Sequence, residues 1–125
     1  MMLNDIGTYL QSQGIGTLGI DLFLGLMPDQ PDNSIALFEY AGSPPDLHWN
    51  GEYPGLQVRV RNKSYAAGRA KIDEVRKALH GLHETELSGT RYLLIKARGS
   101  PEILKRDNNN RTEWFINFEI IKESD

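Results

Sequence analysis

Apolar positions change their spacing several times along the chain, and each change marks an element. Leu3, Ile6, Tyr9 and Leu10 recur at helical spacing with Asn4, Asp5 and Gln11 between them. That predicts an amphipathic helix over the first dozen residues, with Gly14 as its stop. From Ile20 the period becomes two: Ile20, Leu22, Leu24 and Leu26 alternate before Pro28, and residues 34–41 form a second strand-like run. Between them, Pro28-Asp29-Gln30-Pro31-Asp32-Asn33 is turn chemistry, because proline sets φ and Asp and Asn bond their own backbone. This segment is expected to join two neighbouring strands. Residues 42–54 carry prolines, glycines, His48, Trp49 and Tyr53, and read as a long irregular loop.

Leu56, Val58 and Val60 then alternate with Gln57, Arg59 and Arg61, a strand with one apolar and one polar face. Ser64 is placed to cap a second helix, whose stripe is Ile72, Val75, Leu79 and Leu82 and whose stop is Gly81. Residues 92–97 and 103–106 read as strands interrupted by Gly99-Ser100-Pro101, and 107–110 as a turn. The last strand places Trp114, Ile116, Phe118 and Ile120 on one face and Phe115, Asn117, Glu119 and Ile121 on the other. The expected order is helix, three strands, helix, two or three strands. Short connections favour antiparallel pairing, and both helices must bury their stripes. The fold class is therefore α+β: a mainly antiparallel sheet of about five strands with two amphipathic helices packed on one face.

A chain of 125 residues is long enough for one core, so residues 1–125 are read as a single domain. Charged residues at 25% and apolar residues at 39% match ordinary globular usage and lack the signature of disorder. A net charge of −3 argues against a dedicated nucleic-acid reader, although a local basic patch stays open. With no cysteine, disulfides, thiolate zinc sites and cysteine nucleophiles are excluded. No basic-then-apolar leader or span of about 18 apolar residues is present, so no membrane partner is expected.

Several small constellations suggest chemistry and then fail on context. Gly14-Ile15-Gly16-Thr17-Leu18-Gly19 matches the dinucleotide glycine pattern, but it follows a helix and leads into a strand, the reverse of the phosphate-cradling order. His80, His83 and Glu84 form an incomplete metal set at a helix end. Ser43, Asp46 and His48 lack a nucleophile elbow and an oxyanion hole. Asp29 and Asp32 are turn formers before they are cation ligands. No catalytic residue, cofactor or metal site is expected. Arg59, Arg61 and Lys63, with Lys96, Arg98, Lys105 and Arg106, leave three readings open: a phosphate-facing stripe, a solvated sheet face with charge-protected edges, or a subunit interface.

The run Pro54-Gly55-Leu56-Gln57-Val58-Arg59-Val60-Arg61, followed by Tyr65 and a helix ending Ala78-Leu79-His80-Gly81-Leu82, resembles a family of phage minor capsid proteins. Phe23-Leu24-Gly25-Leu26-Met27-Pro28-Asp29, Leu104-Lys105-Arg106-Asp107 and the final strand around Asn117-Phe118 follow in the family's order. This family is similar to the tail terminators of long-tailed phages. The resemblance implies an α+β subunit of a virion structural protein at the head-tail junction, held in the host cytoplasm before assembly. It implies a homo-oligomeric ring, usually hexameric, between the tail tube protein and the head connector or head-completion protein, with DNA passing through non-specifically. Side-chain chemistry alone nominates the interface: His48, Trp49 and Tyr53 in the 42–54 region, Arg59 and Arg61 on the strand face, and Lys105, Arg106 and Arg111 in the late hairpin. The competing readings are a nucleic-acid-associated phage accessory protein and a small enzyme or ligand-binding domain.

Overall fold

The structure is a computed structural model and describes residues 1–124. Its elements run α1 (Met2–Ser12), β1 (Leu22–Leu24), β2 (Ser34–Ser43), β3 (Gly51–Asn62), α2 (Tyr65–Leu79), β4 (His83–Leu87), β5 (Thr90–Ala97), β6 (Glu102–Arg106) and β7 (Thr112–Glu123). The strands form one sheet in the order β1-β2-β3-β7-β5-β4, with β6 also pairing β7. β3 and β7 form its middle, in antiparallel register from Asn62↔Thr112 to Gly51↔Glu123.

Both helices bury their stripes in one core on the same side of the sheet. Ile6 and Leu10 of α1 and Ile72, Val75 and Leu79 of α2 join Leu56, Val58 and Val60 of β3 and Ile116, Phe118 and Ile120 of β7. The alternating residues of β3 and β7 therefore meet the helices, as period-two patterning requires. Ser64 caps α2, its Oγ accepting from the Ala67 N–H at 3.1 Å. α1 is tied to β5 inside the core, where the Tyr92 hydroxyl donates to Asp5 Oδ2 at 2.7 Å.

The α+β class and the two helices on the sheet agree with the expectation, but the sheet is mixed and seven-stranded where a mainly antiparallel one of about five strands was expected, and there are four differences in detail. First, β1 pairs β2 in parallel, Leu22↔Ile35 to Leu24↔Leu37, so the proline-rich segment is a crossover and not a hairpin turn. β1 has only three residues, and Ile20 and Leu26 at its flanks are 67% and 55% exposed. Second, the region read as a loop over 42–54 is strand at both ends, since β2 runs to Ser43 and β3 starts at Gly51. Glycine makes this possible: a Cβ on Gly42 would lie 1.9 Å from the Tyr53 carbonyl oxygen, and one on Gly51 would enter the Trp49 ring. Third, β4 was not expected. Only Leu87 of its five residues is buried, so it has no apolar period, but Ser88 and Gly89 with φ of 50° and 87° form the left-handed two-residue turn that hairpins favour. Fourth, α2 stops at Leu79 with His80 already extended, so Leu82 reaches the core from beyond the helix.

β5 and β6 are two halves of one path along β7. The Arg98 N–H donates to the Asn117 carbonyl, and pairing resumes at Glu102↔Phe115, so Gly99, Ser100 and Pro101 stand opposite Ile116 alone. β4 covers the outer edge of β5 and stops short of β6.

Candidate functional site

The face of the sheet away from the helices is covered by no other layer, and it carries an ordered polar network. Register aligns Ala36, Arg59 and Phe115 in one row, and Phe38, Gln57 and Asn117 in the next. Arg59 Nε donates to Gln57 Oε1 at 2.7 Å, and Gln57 Nε2 donates to Asn117 Oδ1 at 3.1 Å. The Arg59 guanidinium lies 4.5 Å from the centre of the Phe38 ring, a cation–π contact. Glu113, though 5% exposed, stands between Arg59 at 3.9 Å and Lys105 at 3.8 Å. Mutual bonding holds these side chains in place, which lowers the entropy lost when a partner docks.

At one end of this face, two arginines hold the crossover that precedes β2. Arg61 is 4% exposed; its Nε donates to the Asp32 carbonyl at 3.0 Å, and its Nη2 to the Pro28 and Pro31 carbonyls at 2.6 and 2.7 Å. Arg111 is equally buried and bonds Asp107, Asp29 and Asp32 through Nε, Nη2 and Nη1. Burial first, then the neighbouring Arg111 charge, lowers the Arg61 pKa, while the hydrogen bonds that Arg111 donates to Asp29 and Asp107 raise its own. Arg61 and Arg111, read as interface candidates, are thus buried in the free chain, where their donors close an internal clamp. Asp29 and Asp32 supply its acceptors.

At the other end, the β2–β3 connection is organised around Asp46. The His48 N–H donates to Asp46 Oδ1 at 2.8 Å, the Tyr53 hydroxyl to Oδ2 at 2.9 Å, and Trp49 Nε1 to the Tyr53 hydroxyl at 3.1 Å. The backbone bond from His48, then the Tyr53 hydroxyl, holds the Asp46 carboxyl below its ordinary pKa. His48, Trp49 and Tyr53 are therefore brought together, with Leu47 projecting from the tip at 94% exposure. Arg59 and Lys105 meet at Glu113, and Arg106 is exposed on β6. His80 and His83 are used separately, Nδ1 of the first accepting from the Ala97 N–H and Nδ1 of the second lying 3.1 Å from the Gly81 carbonyl. Among the described residues there is no cluster suited to a metal ion, and no helix long and apolar enough to cross a membrane.

Comparison with known proteins decides the context of these surfaces. Residues 9–124 match the model of a family described as bacteriophage tail terminator protein. The chain belongs to the bacteriophage tail terminator family. Its fold is also similar to that of a chain in the virion of a native gene transfer agent particle, with a TM-score of 0.73 at 16% identity over 95% of this chain and 92% of that one. No curated protein matches it in sequence. Family membership makes this a virion structural protein of phage type, so assembly with other virion proteins is its business, and exposed apolar groups become the informative ones.

In this tail terminator family member, residue chemistry passed over two exposed apolar side chains. Ile103 and Leu104 are 48% and 41% exposed on β6, every residue of which is exposed. Their signal in the sequence was an apolar pair in a strand whose other residues are charged.

The arginine clamp should be acid-labile. Burial would raise the carboxyls of Asp32 and Asp107, but Lys63 and Arg111 for the first, and bonds from Arg111 for the second, bring both below their ordinary value. A depressed folded pKa stabilises the fold above the unfolded value of about 3.9 and loses that contribution as pH falls through the folded value. Amide exchange at Asn109 and Arg111, whose N–H groups donate to the Asp107 carboxylate, is expected to be unchanged from pH 7 to 5, after correction for intrinsic rates, and to accelerate below about pH 4. Acceleration already at pH 6 would contradict the clamp.

Proposed function

We propose that this chain ends the tail tube at the head-proximal side, as a homo-oligomeric ring of six subunits with one side on the tail tube protein and the other toward the head connector or head-completion protein. DNA passes through the ring without being read. The role asks for fitted surfaces and no chemistry, so the proposal includes no enzymatic activity. The observation that carries it is the family match over residues 9–124, which spans every strand and α2. Physical supports are a small subunit with one uncovered sheet face and different groups at its two ends, since a closed ring needs two unlike patches on each copy. The nucleic-acid reading rested on a basic stripe of Arg59, Arg61 and Lys63 with later lysines and arginines, and has less support because Arg61 is buried on carbonyls and Arg59 lies over Phe38.

The test is electron microscopy of tails made with and without the protein. Its absence is expected to give tails of uncontrolled length that fail to join heads, and purified protein added to growing tubes is expected to cap them. Tails and virions of normal length in its absence would overturn the proposal.

A further inference from the structure

Two strand edges lack a partner among the described residues, and they lie on opposite sides of the sheet. On one side β1 covers β2 only from Ile35 to Leu37. The Gly25 N–H reaches the Leu37 carbonyl at 2.7 Å, so Leu37 turns its main-chain groups to the outer side, and the two-residue period of a strand turns those of Glu39 the same way. On the other side β6 pairs only with β7, its outer edge left open where β4 ends. An open edge carrying exposed apolar side chains is a template for another strand. The remaining edges are protected: β1 is three residues long, and β4 carries Glu84 and Glu86, with Glu84 kinked at φ 48°.

We propose that β6 of one copy adds edge to edge to the Glu39 segment of β2 in the next copy, so that the sheet continues from subunit to subunit. This inference rests on the ring reading and names its joint. A second copy is the occupant that the topology fits, because contacts between opposite sides of one sheet are head-to-tail and can propagate around a ring. Pairing β6 with β6, or with β4 on the same side, would be isologous and stop at a dimer. Charge agrees: β6 ends in Lys105 and Arg106, the β2 edge carries Glu39, and among the described residues neither Arg106 nor Glu39 has an ion-pair partner within the chain. Ile103 and Leu104, exposed on β6 of the free chain, would be covered by the added strand.

The experiment uses the full chain, with sedimentation velocity to follow assembly and amide exchange to read the edges. In wild-type rings the amides of Glu39 and of residues 102–106 are expected to exchange more slowly than in dilute subunits. Leu104→Asp is expected to weaken association at least about tenfold, with the melting temperature unchanged. Arg106→Glu and Glu39→Arg are each expected to weaken it, and their combination to restore it, which keeps the test valid if Leu104→Asp perturbs folding. Lys77→Glu, on the outer side of α2, is expected to leave assembly intact. Wild-type rings that persist in Leu104→Asp and Arg106→Glu, with neither edge protected, would overturn this joint and leave the ring standing. A wild-type chain that neither associates nor caps tubes would overturn the ring and the joint with it.

Discussion

Replacing Arg61 by alanine is expected to lower the stability of the free subunit by about 3 kcal/mol, from the loss of several charge-assisted hydrogen bonds at a buried site. Its Tm should fall by about 10 °C, given the entropy of unfolding of a domain this size. The guanidinium stands 4% exposed at the end of β3 and gathers carbonyls of Pro28, Pro31 and Asp32, of which that of Pro31 also accepts from the Ser34 hydroxyl. Without it the crossover between β1 and β2 keeps only Arg111 as a guanidinium anchor, and these carbonyls must rehydrate. Arg61→Lys should recover little, because one ammonium cannot reproduce the planar fork that bonds in two directions. Thermal unfolding of dilute, unassembled protein separates this from an interface role. An Arg61→Ala subunit that melts like wild type but fails to assemble would return Arg61 to the subunit contact.

Phe118→Ala is expected to cost about 4 kcal/mol, in the range for truncating a fully buried aromatic side chain. Phe118 has no exposed surface and sits on β7 between Leu56 of β3 and Ala97 of β5. Strands hold β7 on both sides, so the backbone cannot close over the void, and the loss should lie toward the larger end of such substitutions. Domain stabilities are typically about 5–15 kcal/mol, so this one change removes a large share and should lower the yield of folded protein. Urea unfolding is the measurement: the midpoint should fall while the slope stays that of wild type. A loss below about 1.5 kcal/mol, as for a volume-conserving swap, would mean that Phe118 is not at the centre of the core. Phe118→Leu should lie between the two.

Much of the fold was legible because burial leaves a period. Leu56, Val58 and Val60, and Trp114 to Ile120, alternate because one face of each strand meets helices. The stripes of α1 and α2 recur at three and four residues for the same reason. The candidate contact residues were legible only as residue types. His48, Trp49 and Tyr53 were read as parts of one loop; Tyr53 is on β3 instead, and Asp46, read only as weak acid-base chemistry, accepts from the His48 N–H and from the Tyr53 hydroxyl to which Trp49 donates. Ile103 and Leu104 were assigned to a strand, yet nothing local says that β4 would end before reaching them.

The sequence by itself determined the class of the fold, the faces of its long strands and helices, the cap at Ser64 and the lack of cysteine chemistry, since these depend on neighbours within a few residues. Only the tertiary structure decided the direction of β1, the existence of β4 and the fates of the arginines. Arg59 and Arg61 are two residues apart on one face of one strand and carry the same pattern. One lies over Phe38 on the open face, and the other is closed in by a crossover some thirty residues away in the chain. Their difference comes from which distant backbone passes over each, and a local period holds no record of that.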